Sequence, residues 1–326
     1  MSALLEVADL RISLPGPYGM ISIVEGIDFE VRSGEIFGLA GESGCGKTIT
    51  ALSLLGLLPA HARTSGRADF EGRNLLTLGA NELRQVRGRK VAMVFQDPTS
   101  SLHPMLSIER QLTEHLLVHL RMDRTQARRR AIDLLEQVRI PDPEAALHAY
   151  PHQFSGGMRQ RIQIAMALAC EPSLLIADEP TTALDVTVQA GILRLIDGLR
   201  RTSGLAVILI THDLGVLSAV ADSVTVMYAG RVVETGPTRQ VVQDSRHPYT
   251  RGLLESLPHP EAAHLPLVPI RGTPPSPAER PAGCAFHPRC AYAAERCRRE
   301  VPPLVERTPG RAVACTVDPY APERVA

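Results

Sequence analysis

The chain has 326 residues, with 35 Lys+Arg against 35 Asp+Glu and a pI near 7.2. That length allows one large domain with an appendage, or two domains, and a sizeable core. Balanced charge argues against nucleic acid as a bulk electrostatic partner. The absence of Trp argues against base-stacking platforms, and no apolar run approaches the ~20 residues of a membrane span.

The first residues, Met1 to Val7, carry an early acid and no basic segment, which does not read as a secretory signal. The chain is expected to be soluble and cytoplasmic. There, six cysteines point to thiols or a metal site rather than to disulfides. Residues 4–12 and 21–31 alternate apolar and polar as strands do, with a turn expected at Pro15-Gly16-Pro17. Glu35 to Ala40 reads as a buried strand and Ile49 to Leu58 as a helix.

Between that strand and helix stands Gly41-Glu42-Ser43-Gly44-Cys45-Gly46-Lys47-Thr48, the pattern G-x-x-x-x-G-K-[ST]. Triphosphate oxygens are anionic and tightly hydrated, so holding them requires many aligned donors. Glycines let the backbone curl until successive N–H groups point inward. Lys47 is expected to reach the β- and γ-phosphates, and the Thr48 hydroxyl to ligate Mg²⁺. Cys45 contributes its backbone. The following helix adds the positive end of its dipole.

Further along, residues 63–77 read as short strands and turns, and Leu83 to Lys90 as an exposed helix. Val91 to Phe95 is a short buried strand ending at Gln96-Asp97-Pro98. Residues 106–140 hold a helical stretch, and its basic face from Arg121 to Arg130 reads as a solvated one. Ser155-Gly156-Gly157 leads into a helix at 158–169 and could offer N–H groups to a phosphate. Ser173 to Asp178 is a buried strand. Asp178 at its end is suited to hold Mg²⁺ opposite Thr48, and Glu179 to act on water as a general base. A helix follows at 186–201 and a third buried strand at Leu205 to Ile210. This alternation predicts an α/β domain with a mainly parallel sheet. After about residue 236 the character changes. From Pro258 to Pro288 prolines are frequent and periodicity is lost, which reads as a linker or wrapping tail rather than a second core.

Four cysteines lie late in the chain: Cys284, Cys290, Cys297 and Cys315, spaced C-x5-C-x6-C-x17-C. This spacing lacks the close pairs of structural zinc sites and the C-x2-C-x2-C run of bacterial ferredoxins. Spacing alone leaves a metal site open. Cys170, ending an apolar helix, reads as a core thiol.

Taken together, these motifs resemble the ATP-binding cassette ATPases. Gly41 to Thr48 matches the Walker A loop and Leu174 to Asp178 the Walker B strand. Gln96 falls at the Q-loop glutamine, which senses the γ-phosphate and touches the membrane partner. Phe154-Ser155-Gly156-Gly157-Met158 matches the signature loop, with Met where many members have Gln. Ala183-Leu184-Asp185 is similar to the D-loop, and His212 to the switch histidine. Tyr18 sits 23 residues before Gly41, where the family places an adenine-stacking aromatic; an exposed turn tyrosine is the other reading. Gln96 to Pro104, Tyr150 to Arg161, Ala183 to Gln189, His247-Pro248-Tyr249-Thr250 and Arg271 to Pro275 resemble the oligopeptide/dipeptide/nickel importer ATPases more narrowly. His103 stands where relatives more often have Asn.

The resemblance implies a P-loop NTPase cassette over 1–235, with a mixed sheet core, an antiparallel β subdomain and a helical subdomain at about 97–165. A Pro-rich, Cys-containing extension occupies 236–326. It implies ATP and Mg²⁺ at Thr48, Gln96 and Asp178, and a [4Fe–4S] cluster on Cys284, Cys290, Cys297 and Cys315. Two cassettes would pack head to tail, so that Ser155 and Gly157 serve the partner's nucleotide. Two membrane permease subunits would dock on the segment between Gln96 and Ser155, at the cytoplasmic face of the membrane, with a solute-binding protein outside. The expected function is ATP-driven peptide import. Nickel import, export, or a soluble cassette acting on ribosomes or DNA are the alternatives.

Overall fold

The computed structural model describes residues 3–182, 184–257 and 269–317. Ala183 of the expected D-loop and residues 258–268 of the expected linker lie outside the described residues. The strands in chain order are β1 (Ala3–Gly16), β2 (Gly19–Arg32), β3 (Ile36–Ala40), β4 (Arg63–Phe70), β5 (Arg73–Asn74) and β6 (Val91–Val94), then β7 (Leu174–Asp178), β8 (Ala206–Thr211), β9 (Ser223–Tyr228), β10 (Arg231–Pro237), β11 (Val305–Thr308) and β12 (Arg311–Val313). The helices are α1 (Lys47–Leu54), α2 (Ala80–Val86), α3 (Pro98–Ser101), α4 (Ile108–His119), α5 (Arg124–Gln137) and α6 (Pro143–His148), then α7 (Gly156–Leu168), α8 (Val186–Ser203), α9 (Leu214–Val220), α10 (Thr238–Gln243) and α11 (Pro248–Glu255).

Two compact units divide these elements. One comprises Ala3–Glu30, Phe37–Leu76 and everything from Thr211 onward. In it β1 pairs antiparallel with β4, from Leu5 opposite Phe70 to Ser13 opposite Arg63, with an irregularity between Ala8 and Arg11. That bulge explains the burial pattern. Leu5 and Val7 are buried before it, Leu10 and Ile12 after it. One extra residue flips which side chains face inward. Gly66 makes room for it, since a Cβ there would lie 2.2 Å from the Asp9 carbonyl oxygen. The expected turn at Pro15-Gly16-Pro17 is tighter than anticipated, because β1 continues through Gly16 and the turn is Pro17-Tyr18.

In the same unit β3 runs parallel to β9, β9 antiparallel to β10, and β10 antiparallel to β12, with β11 outermost. The sheet here is mixed. The described part of the region after 236, expected as a linker or wrapping tail rather than a second core, packs onto this unit and forms no unit of its own. β12 supplies a strand, Phe286 is 4% exposed, and Tyr228, Tyr249 and Phe286 pack with ring centroids 4.6–5.3 Å apart. Periodicity failed as a signal because this region is held by isolated anchors rather than by long regular elements. Glu234, fully buried, accepts from the Arg246 and His247 amides and from Arg311 Nη2 at 2.8–3.0 Å. A buried carboxylate tolerates that position only with such partners.

The other unit comprises Val31–Ile36 and Thr77–Ile210. Its strands β6, β7 and β8 are parallel, with Val91 opposite Leu174 and Asp178 opposite Ile210 at the ends. Helices α3 to α7 stand between β6 and β7 in the chain. The helical stretch expected within 106–140 divides into two helices: α4 ends at His119, and Arg121 takes a positive φ of 54°. Asp123 then caps α5 in a reciprocal box with Gln126. α5 buries Ala127, Ala131, Leu134 and Leu135 on one stripe, and the half-buried Arg128 and Arg130 flanking it pair with Glu109 and Glu171. α2 lies earlier than the helix expected at 83–90 and buries Leu83 and Val86. α8 is capped by the Asp185 side chain at the Val188 amide and ends at Gly204, left-handed at φ 68°.

Candidate functional site: a phosphate loop and a strand-end carboxylate pair

β3, buried at all five residues, delivers the chain to Gly41. Gly41 has φ 147°, and a Cβ there would meet the Met227 carbonyl oxygen at 2.3 Å. Gly46, at φ 108°, turns the chain directly into α1. Both positions demand glycine for reasons visible in the fold. Lys47 is 5% exposed, and its ammonium donates to the carbonyl oxygens of Gly41 (2.6 Å) and Glu42 (3.1 Å). The loop is thereby closed on its own cation. Ser43, Gly44 and Thr48 form the exposed side of the loop, where a ligand has access. Cys45 is buried. Its amide donates to the Glu42 carbonyl at 3.3 Å and its carbonyl accepts from the Gly230 amide at 3.0 Å. Burial pushes its thiol pKa up. A neutral thiol suits a filler of the loop's interior.

His212 follows β8 in the same unit as the phosphate loop and is exposed. Asp213 beside it caps α9, accepting from the Gly215 amide at 2.7 Å, which fixes the backbone on which His212 sits. Tyr18 stands fully exposed in the β1–β2 turn.

The other unit holds the remaining candidates. Asp178 ends β7 and is 3% exposed. Glu179 follows with φ 45°, a left-handed conformation uncommon for a residue with a Cβ. Its amide donates to the Ile210 carbonyl at 2.9 Å, so β8 holds that conformation in place. Strain of this kind clusters where a side chain must be aimed. The Glu179 carboxylate accepts from Gln96 Nε2 at 2.9 Å and from the Thr182 hydroxyl at 2.9 Å. The structure thus brings Gln96 and Glu179 together across 83 residues of sequence. Thr182 joins them. Sequence reading passed over it because Thr beside a turn carries no motif of its own.

Ser155 caps α7, its hydroxyl accepting from the Met158 amide at 3.3 Å. Gly156 and Gly157 are the first residues of that helix, two positions earlier than expected, so their N–H groups belong to the helix N-terminus. Gly157 is required by packing. A Cβ would lie 2.6 Å from Val188 Cγ1 on the first turn of α8. Asp185, the cap of α8, therefore sits beside the signature segment.

Cys284, Cys290, Cys297 and Cys315 line one small cavity, together with His287 and His247. All four are free thiols. Burial raises the Cys290 thiol to about 11, and neighbouring thiols at Cys315, Cys284 and Cys297 add to this. Burial also pushes Cys284 and Cys315 up. His247 is buried and held neutral, its pKa lowered to about 3 by desolvation; its Nδ1 accepts from the Tyr249 amide. Among the described residues, no three His, Cys, Asp or Glu side chains are placed to hold a metal ion. The expected iron–sulfur centre therefore gains only the shared cavity from this geometry.

One further group was not anticipated. Arg289 reaches Glu42 of the phosphate loop with both Nη atoms, at 2.5 and 2.9 Å. The Glu42 amide donates to the Tyr249 hydroxyl at 2.8 Å. The available signal was an acidic residue inside a loop built for anions, which calls for a cation elsewhere in the chain.

Comparison with known proteins places these features in a family. Residues 24–182 match the family model "ABC transporter", and residues 233–297 match "Oligopeptide/dipeptide transporter, C-terminal region". The chain is 47% identical to the oligopeptide transport ATP-binding protein OppD of Escherichia coli, over 96% of this chain and 93% of that one. It is 47% identical to the dipeptide transport ATP-binding protein DppD of Bacillus subtilis, over 97% and 95% of the two chains. Among solved structures, it resembles the dimeric post-hydrolysis state of the ATP-binding cassette MJ0796 bound to ADP and Pi. The TM-score is 0.65 at 25% identity, covering 72% of this chain and 99% of that one. The chain belongs to the ATP-binding proteins of the ABC transporter family, in the branch that carries the oligopeptide/dipeptide transporter C-terminal region.

Proposed function

We propose that this chain binds and hydrolyses ATP to power the import of peptides by an ABC transporter. What carries the reading is similarity to peptide-transport ATP-binding proteins over nearly the whole chain, including both family regions. The same similarity favours peptides over nickel and over a soluble, non-transport role.

In this reading Lys47 and the loop residues Gly41, Ser43, Gly44, Cys45, Gly46 and Thr48 bind the phosphates, and Tyr18 stacks on the adenine. Thr48, Asp178 and Gln96 would hold Mg²⁺, which when bound neutralises phosphate charge as the β–γ bond breaks. Glu179 takes the proton from the attacking water. Gln96 orients that carboxylate, and His212 stabilises the transferred phosphoryl group. Ser155, Gly156, Gly157 and Asp185 serve the nucleotide of a second ATPase subunit, here read as a different chain. Nucleotide bridging two cassettes stabilises the closed pair, and hydrolysis releases it. We take 1–235 as the cassette and 236–326 as the extension.

Among the described residues no helix is long and apolar enough to cross a membrane. As in a peptide importer of this family, the solute path is assigned to two permease subunits, with an extracytoplasmic binding protein delivering peptide. The chain would work at the cytoplasmic face, without nucleic acid.

Cys284, Cys290, Cys297 and Cys315 would hold a [4Fe–4S] cluster, which when bound supplies a four-point cross-link of the extension. This reading draws on four thiols lining one cavity and on the preference of soft thiolates for such metals. The test is purification of the chain from membranes without oxygen. It is expected to bring two hydrophobic permeases and a second ATPase, with iron and sulfide that Cys284→Ser removes and Cys170→Ser does not. Recovery without permeases would contradict the transport reading. Stoichiometric zinc, or no metal in folded protein, would contradict the cluster alone.

A further inference from the structure

Glu42 is an electrostatic liability. It lies inside the phosphate loop, between Gly41 and Ser43, so its negative charge sits within a loop that is read as binding phosphates. The fold answers it with one fixed cation. Arg289 Nη1 and Nη2 bind Glu42 Oε2 and Oε1 at 2.5 and 2.9 Å, a two-pronged pair. The arginine side chain is 5% exposed and the glutamate 26%.

Arg289 is itself held so that it does not swing away. Its Nε donates to the Arg271 carbonyl at 2.9 Å and its Nη1 to the Tyr228 hydroxyl at 3.3 Å. Its guanidinium lies 5.8 Å from the Tyr228 ring centroid and 5.9 Å from that of Phe286. The backbone of Glu42 is tied separately, its amide donating to the hydroxyl of the fully buried Tyr249. That amide is occupied, so phosphate donors must come from elsewhere in the loop. Glu42 is thus gripped at side chain and backbone by residues 247 and 207 positions later.

We propose that Arg289 is a positioning residue for nucleotide binding: it neutralises Glu42 and, with Tyr249, holds the phosphate loop in a shape that accepts ATP. The inference rests on reading residues 41–48 as the ATP site. It makes nucleotide affinity depend on the C-terminal extension. A purely structural ion pair would matter for folding and not for anion affinity, and this difference can be measured.

The experiment is equilibrium binding of MgATP to the full-length chain at low and high salt, for wild type, Arg289→Ala, Glu42→Gln, the double variant and Lys47→Ala. Thermal unfolding is followed in parallel. Arg289→Ala should weaken binding about tenfold at low salt, since coupling energies between sites commonly correspond to 5–150-fold. The loss should shrink at high salt, where exposed charge is screened. Glu42→Gln in the Arg289→Ala background should restore affinity to within about threefold of wild type, because it removes the uncompensated charge. Native affinity in Arg289→Ala, or a double variant no better than Arg289→Ala, overturns the proposal. If Arg289→Ala does not fold, Arg289→Gln with and without Glu42→Gln makes the same comparison. Lys47→Ala separates the two readings. If it binds MgATP like wild type, the loop assignment fails; if it alone loses binding, only the role of Arg289 fails.

Discussion

Glu179→Gln is expected to cut ATP turnover by about 10²–10⁴-fold while leaving ATP binding in place. The substitution keeps the length and one acceptor oxygen of the side chain, so the hydrogen bonds from Gln96 Nε2 and the Thr182 hydroxyl retain an acceptor. What disappears is the capacity to take a proton from water. The backbone at Glu179, left-handed and tied to the Ile210 carbonyl, should be unaffected. ATP should then accumulate on the closed cassette pair, which should stay associated when turnover stops. Asp178→Asn separates the neighbouring roles. In the proposed mechanism it weakens Mg²⁺ and with it nucleotide binding, so the closed pair should not accumulate. Retention of radiolabelled ATP and cassette association, measured with Mg²⁺ and the partner ATPase, checks both variants. Turnover at the native rate in Glu179→Gln places the base elsewhere. Failure of that variant to bind ATP makes Glu179 a structural residue.

Lys47→Ala should weaken MgATP binding by about 100-fold or more and leave no measurable turnover. Its ammonium is buried and hydrogen-bonded at 2.6 and 3.1 Å to two loop carbonyls. Removing it takes away the fixed cation facing the phosphates and leaves those carbonyls without that donor. Truncating one partner of a buried charge-assisted pair typically costs about 2–5 kcal/mol. Thermal unfolding of the variant distinguishes lost binding from lost folding. Near-native MgATP affinity in a folded Lys47→Ala chain contradicts the assignment of the loop.

The cassette was legible in the sequence because its parts are contiguous and chemically constrained. The stretch from Gly41 to Thr48 carries its own shape, since only glycine tolerates the approach of the Met227 carbonyl at Gly41. The strands β3, β7 and β8 are apolar at nearly every position, as strands buried on both faces must be. Legibility failed where the structure depends on distant partners. The extension reads only as a linker or wrapping tail because its elements are short, and the anchors that hold it, Phe286 and the Arg311–Glu234 pair, are far apart in sequence. Nothing local to Arg289 announces that it reaches Glu42. The boundary between α4 and α5 at Arg121 has no local signal, because a residue other than Gly or Asn takes the positive φ there. Likewise, Gly156 and Gly157 were read as loop residues because glycine is a poor helix former. Ser155 caps the helix one residue before them, and the close approach of Val188 accounts for Gly157.

The most direct test of the central claim is uptake of a labelled peptide by proteoliposomes containing this chain, its partner ATPase, the two permeases and the binding protein, with ATP hydrolysis recorded in the same vesicles. Uptake should require ATP and this chain, and Glu179→Gln should abolish uptake and hydrolysis together. Peptide uptake that continues unchanged without the chain, or ATP hydrolysis indifferent to Glu179→Gln, would contradict that claim.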